Sequence, residues 1–274
     1  MADLLTKTIG DGPAHGAGMD TRETRDWARE IKFLTTLEMR PKIVAWSRAN
    51  LEPDGFGSGD YKDEYTTSSL YFETPRFDVY RREESYGRSK YRVRRYGTAP
   101  IIFVERKFRT ERLLAKRRTT VPLAELARLA EPRADPAWAG YWFHRRILLR
   151  DLQPLIQLSY DRVARVGQSS TGQLRMTIDS NLRVLPMPDR AFLSAVGMPV
   201  VEDKCIIEVK YRMQLPAIIK SLAATFGLEV QKMSKFRIGL RALDYPLPKD
   251  TDEEVPKAVE DREPEDGASA RFFD

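Results

Sequence analysis

The sequence predicts an α+β fold: an antiparallel β-barrel with flanking helices. Three observations predict it. About seven or eight segments are rich in β-branched and aromatic residues and are joined mostly by turns. No strand runs into a glycine-rich phosphate loop, which argues against nucleotide folds of the Rossmann or P-loop kind. The pattern Glu-x-Lys-aromatic occurs three times in apolar settings, at Glu30–Phe33, Glu105–Phe108 and Glu208–Tyr211.

Taken in order, residues 1–25 are rich in Gly, Thr and Asp and read as a disordered tail. The ordered domain is expected over 26–247. "WAREIKFLTT" alternates as a strand, and "LEMRPKIVAWSRANL" follows with apolar residues at helical spacing and Pro41 in the first turn. "EYTTSSLYFE" reads as a strand and "TPRFDVYRREES" as a turn with a short helix. "GRSKYRVRRYG" and "APIIFVERKFRTERLL" read as an antiparallel pair about the turn "YGTAP". "VPLAELARLA" and "DPAWAGYWFHRRILLRDL" are expected to be helical, the second capped by Asp135 with Pro136 at its first position. "QPLIQLSYDRVARVG" and "GQLRMTIDSNLRVLP" form a second hairpin, and "VEDKCIIEVKYRM" a last strand. "LPAIIKSLAATFG" is a helix ended by Gly227, and "KMSKFRIGLRALDY" is a final helical piece. Residues 248–274 read as an acidic, disordered tail.

Charge is unevenly shared. The net charge of +6 combines ten Asp/Glu and four Lys/Arg in residues 249–274 with 42 basic and 30 acidic residues in 1–248, a body of +12. A basic body calls for an anionic partner. The single cysteine, Cys205, excludes an internal disulfide and reads as a small core residue. His15 and His144 make no zinc spacing. No apolar run approaches the roughly 20 residues of a membrane helix, and the N-terminus has no signal pattern, so a cytoplasmic location is expected.

Residues two apart on a strand share a face. This groups Arg88, Lys90, Arg92 and Arg94, then Glu208, Lys210 and Arg212, then Arg175, Thr177 and Asp179, then Glu30 and Lys32, each opposite an apolar face. One reading is an ordinary sheet with one solvated face. The other is a barrel with its apolar face outward under helices, so that the charged faces line a tunnel. The repetition favours the tunnel. An empty one would repel itself; phosphates would satisfy the cations, and a divalent metal would give the carboxylates their purpose. On β-alternation Arg162 shares a face with Leu158 and Tyr160. Either a bulge re-aims it or Tyr160 and Arg162 face the tunnel together.

The ordered set "EIKF", "SSLYFETPRFDVYRREE", "KYRVRRYG", "FVERKF", "SYDRVA", "RMTIDSNL", "IIEVKYR" and "SKFRIGLRAL" resembles the VTC domain. That is the polyphosphate polymerase domain of the vacuolar transporter chaperone family, within the triphosphate tunnel metalloenzymes. The likeness runs from about Trp27 to Tyr245. It implies the triphosphate tunnel fold, with Lys32, Arg92, Arg94, Lys107, Arg162 and Lys210 as catalytic tunnel cations. Lys90, Arg175 and Lys235 are further substrate-binding candidates. Glu208 is the implied principal metal ligand, assisted by Glu30 and Glu105, with Mn²⁺ or Mg²⁺ as the metal. Tunnel hydrolases and cyclases begin with Glu-x-Glu-x-Lys; this chain has Ala28 in the first position and lacks that two-glutamate motif. The implied function is metal-dependent transfer of the ATP γ-phosphate to growing inorganic polyphosphate. The alternatives are a triphosphate or nucleotide hydrolase on the same fold and a non-catalytic polyphosphate-binding module. The expected partners are ATP and polyphosphate. No nucleic acid is expected, and any membrane part would be a separate polypeptide.

Overall fold

The computed structural model describes residues 20–25, 28–83, 86, 89–109, 114–170, 172–187 and 189–247. Both expected tails beyond these, and Arg88, lie outside the described residues. Strand-forming segments dominate: β1 (Asp20–Arg25), β2 (Ala28–Thr36), β3 (Glu52–Pro53), β4 (Glu64–Glu73), β5 (Lys90–Tyr96), β6 (Ile101–Arg109), β7 (Leu114–Pro122), β8 (Gln153–Ser169), β9 (Gly172–Pro186), β10 (Met198–Pro199) and β11 (Lys204–Arg212). Among the described residues they make one 11-stranded sheet in the order β1-β7-β6-β5-β4-β8-β9-β11-β2, with β10 on β9 and β3 on β8. Every pairing is antiparallel.

The expected closure of the barrel is corrected in one respect: the hydrogen-bonded ladder runs from β1 to β2 without joining its ends among the described residues. The sheet nevertheless curls on itself. β6 and β2 stand six strand spacings apart along the ladder, roughly 28 Å if flat. Yet the Lys107 ammonium of β6 donates to the Glu30 carboxylate of β2 at 3.0 Å. Charged side chains cross the tunnel interior where the backbone ladder stays open.

The outer faces are apolar, which is why helices cover them. α1 (Arg40–Asn50) and α4 (Ala217–Phe226) set Ile43, Val44, Ile219 and Leu222 against Phe33, Met176, Ile207 and Val209. α3 (Tyr141–Leu149) and a 3-10 helix (Leu123–Ala130) set Phe143, Ile147 and Leu129 against Phe72, Val93 and Val104. Each fully buried large side chain contributes about 1.5–3 kcal/mol. Cys205 sits in the first of these layers, 0% exposed, and burial pushes its thiol up to about 11, as befits an inert core residue. The remaining helices among the described residues are α2 (Asp78–Arg81), α5 (Lys235–Ala242) and a short 3-10 helix (Leu37–Met39).

Four local expectations change. Asp20–Arg25, read as part of a tail, pairs with β7. The run after β6, read as one strand, turns back to form β7. Asp135 caps no helix; its carboxylate accepts from Ala137 N–H in a turn, and α3 starts only at Tyr141. Leu123–Ala130 is a 3-10 helix. The β8 question resolves as well: Tyr160 and Arg162 both line the tunnel. The bulge lies on β9, where Asn181 and Leu182 oppose Tyr160 alone and Asn181 takes φ 53°, a conformation asparagine tolerates. It flips the parity of β9. Arg175, Thr177 and Asp179 face inward before it, and Val184 after it, so one strand shows charge and then apolar bulk to the interior.

Candidate functional site: a cation-lined tunnel

The curl encloses a cavity of about 1120 Å³, counting the space that opens to solvent. Twelve Lys and Arg side chains and three Glu line it among the described residues. Strand alternation delivers them: Arg92 and Arg94 from β5, Glu105 and Lys107 from β6, Glu208 and Lys210 from β11, Glu30 and Lys32 from β2. The twelve residues assigned to the site from the sequence meet in this one cavity, including Lys90, Arg162, Arg175 and Lys235; Thr177, Asp179 and Arg212, grouped with them by alternation, are not among its lining residues, and Arg88 lies outside the described residues.

α5 seals part of the curl. Gly239 lets it approach closely, since a Cβ there would stand 2.9 Å from Leu158 Cδ2 and 3.1 Å from Ile156 Cδ1. Ser234 caps the helix, accepting from Arg237 N–H, and its hydroxyl also receives the Lys90 ammonium at 2.9 Å. Lys32 donates to the Met233 carbonyl at 3.2 Å. Phe236 stacks on Tyr71. Lys235, at the first turn, therefore projects into the tunnel, 2.7 Å from Asp179 and 4.0 Å from Glu208.

The cations are held in three groups. Glu105, 1% exposed, takes Arg92 on one oxygen and Arg118 on the other, each at 2.5 Å. Asp179 receives the Arg162 guanidinium through two bonds of 2.6 and 2.8 Å and shares Lys235. The Tyr160 hydroxyl accepts from both Arg94 and Arg162. Glu30 takes Lys32 and Lys107, each at 3.0 Å, while Glu208 stands 3.6 Å from Lys32 and 4.0 Å from Lys210. At another wall the Asp54 carboxylate and Tyr65 hydroxyl accept from Arg175.

This field sets the protonation of the acids. Burial and the neighbouring Glu208 push the Glu30 carboxyl up; Lys107, Lys32 and Lys210 together outweigh them and hold it well below the usual range. Burial likewise opposes ionisation of Glu208 and Glu105, but Lys32 and Lys235 in the first case, and Arg118 and Arg92 in the second, keep both well below the usual range. Burial drives the Lys90 ammonium the other way, reinforced by Lys32 and Lys107, to well below the ordinary lysine value.

The donor set fits a divalent metal of limited demands. Among the described residues no three Asp, Glu, His or Cys side chains gather as a ready metal cluster. Glu105, expected to help hold a metal, instead has both oxygens on arginines. Glu208 and Glu30 remain, both ionised and sharing Lys32. One or two carboxylates beside substrate phosphates is the usual setting for Mg²⁺, and Mn²⁺ accepts the same oxygen donors.

Sequence reasoning missed Arg29, Lys116, Arg118, Tyr71 and Phe236 in the lining. Lys116 and Arg118 carried a usable signal, being two apart in the alternating run "AKRRTTV". Phe236 gave none, because its place follows from how α5 docks.

The model of the VTC domain matches residues 28–244. No curated protein matches the chain. Among solved structures, a candidate adenylate cyclase of Bacillus halodurans is 17% identical, with 78% of this chain and 95% of that chain covered and a TM-score of 0.49. A candidate adenylate cyclase of Vibrio parahaemolyticus is 12% identical (78% and 97% covered, TM-score 0.44). A candidate adenylyl cyclase of Hippeastrum, described as having dominant triphosphatase activity, is 12% identical (79% and 96% covered, TM-score 0.42).

Proposed function

The chain belongs to the VTC domain family, and on that premise we propose that it is a polyphosphate polymerase-like phosphotransferase that moves the γ-phosphoryl group of ATP onto growing inorganic polyphosphate. The observation that carries the reading is the cavity itself, where twelve cations and three glutamates face one space.

Phosphoryl transfer asks chiefly for positioning and for charge stabilisation on the moving group. Arg92, Arg94 and Arg162 offer planar forks that suit phosphate oxygens. Their geometry is fixed in advance by Glu105, Tyr160 and Asp179. Lys32, Lys107 and Lys210 supply positive charge around Glu30 and Glu208, while Lys90, Arg175 and Lys235 extend the cradle along the walls. Glu208, with Glu30, would hold Mn²⁺ or Mg²⁺, which when bound takes up charge on the phosphate oxygens. A terminal oxygen of the polyphosphate chain bonds to the γ-phosphorus. The bond from that phosphorus to the β–γ bridging oxygen breaks, and ADP leaves with the electron pair. The attacking oxygen is already ionised, so the step needs no base. The chain has Ala28 where tunnel hydrolases and cyclases carry the first glutamate of Glu-x-Glu-x-Lys, which favours transfer over hydrolysis.

The test is turnover of ATP by purified protein and variants. Arg94→Ala and Lys107→Ala should each lower it by roughly 100-fold or more, with folding intact, and Glu208→Ala should remove its metal dependence. Wild-type rates in all three folded variants would overturn the site.

A further inference from the structure

We propose that the turn of residues 74–83 is a proton-sensitive brace on α5, anchored by the Glu73 carboxylate, and that its release withdraws Lys235 from the tunnel. The brace stands on the geometry of the turn; its effect on the tunnel rests on the phosphate-holding role proposed above.

Hydrogen bonds and ring contacts tie the turn to the helix. Glu73 ends β4 and is 1% exposed. Its Oε1 accepts from the Thr74 and Val79 N–H groups at 2.9 and 2.8 Å, and its Oε2 from the Tyr80 N–H at 2.8 Å. One carboxylate thereby folds residues 74–80 round itself. The turn carries strain: Phe77 and Arg82, at the two ends of α2, take φ 62° and 64°, which bulky side chains avoid. Tyr80, held through its N–H, is also the residue that grips α5. Its carbonyl accepts from the Arg237 guanidinium, which lies 4.1 Å over its ring. Phe77 meets Tyr245, just beyond α5, edge to face. Arg237 is two residues from Lys235, the cation that α5 sets in the tunnel.

The anchor is a buried carboxylate that no described cation pairs with. Arg237 is engaged by Tyr80, Arg76 reaches Asp78 at 3.4 Å, and the cross-strand partner on β8 is Gln153. Asp78 of the same turn adds a second negative charge, its own carboxylate accepting the Thr74 hydroxyl at 2.9 Å. Such a site favours the protonated acid. Burial, with Asp78, outweighs the three N–H bonds and raises Glu73 to about 7. Opening the turn returns the carboxyl to water and to its ordinary 4.5. The closed value is the higher one, so the closed brace is fully favoured below pH 4.5 and loses ground as pH rises through about 7. Opening frees Tyr80, and α5 loses the hold on Arg237.

The experiment is amide hydrogen exchange across the full chain at about pH 5.5 and about pH 7.5, corrected for the intrinsic pH dependence of exchange. Wild-type α5 should open roughly 20-fold more readily at the higher pH, the change required by a carboxyl at about 7 when closed and 4.5 when open. Glu73→Gln should show no such rise. Arg237→Gln should exchange at one raised level at both pH values. α4, on the other core layer, should not respond in any of them. In parallel, affinity for inorganic tripolyphosphate should fall in the wild type relative to Glu73→Gln over the same interval. A flat wild-type α5, the same rise in Glu73→Gln, or an equal rise in α4 would overturn the brace. Responsive exchange with a constant affinity ratio would overturn its link to the tunnel. Tripolyphosphate that binds neither protein would count against the phosphate-holding tunnel, and the exchange would still decide the brace.

Discussion

Glu105 shows how single residues organise this site. It was legible as a tunnel carboxylate from the repeated Glu-x-Lys pattern, but its task was not, because Arg118 lies on a strand whose pairing no local pattern reveals. Buried between two guanidiniums, it orients cations that would otherwise repel one another. Glu105→Gln should cost about 3–5 kcal/mol in urea denaturation, the usual penalty for breaking a buried pair from one side; a loss within experimental error would contradict that role. Glu73 is the opposite case. Its oxygens accept from the N–H groups of Thr74, Val79 and Tyr80, yet burial outweighs these and raises its pKa from 4.5 to about 7. The folded value exceeds the unfolded one, so its contribution to stability is complete below pH 4.5 and is lost as pH rises through about 7. Glu73→Gln should therefore gain on the wild type between about pH 5 and about pH 8; a constant difference would refute the shift. Glu208 and Glu105 act with the other sign. Their folded values are depressed, so their stabilisation is present above the unfolded carboxylate value and fades as pH falls.

At the scale of elements, alternation in β2, β5, β11 and the first part of β9 was readable because one face is apolar and the other charged. β7 was hidden by the reading of its approach as a continuation of β6, and β1 by its Thr- and Arg-rich sequence with no apolar face. The β9 bulge could not be foreseen, since its effect is to change which residues share a face midway along one strand. α5 was legible as a helix, though not as a plug. Its close seat depends on Gly239, and Gly239→Leu should overpack Leu158, Ile156 and Val184, at a cost of about 1–3 kcal/mol. By shifting Lys235 it should also raise the KM for the triphosphate substrate. An unchanged KM in a destabilised variant would show that α5 supports the fold without placing substrate.

For the whole molecule, the basic excess of the body is concentrated inward, where twelve cations surround one cavity. Composition announced an anionic partner but could not say whether it lies inside or outside the protein. That depends on the curl of the sheet, which brings β2 and β6 within a salt bridge of each other. Anion binding should therefore raise stability by relieving internal repulsion, and inorganic tripolyphosphate should increase the melting temperature in a dose-dependent way. No shift at saturating tripolyphosphate would count against a phosphate-holding tunnel. The most direct test of the central claim follows the product. Purified protein is incubated with γ-labelled ATP, with and without Mn²⁺, and the label is resolved by gel and as free phosphate. The account predicts a metal-dependent ladder of long phosphate chains; label released only as orthophosphate, or no turnover at all, would contradict it.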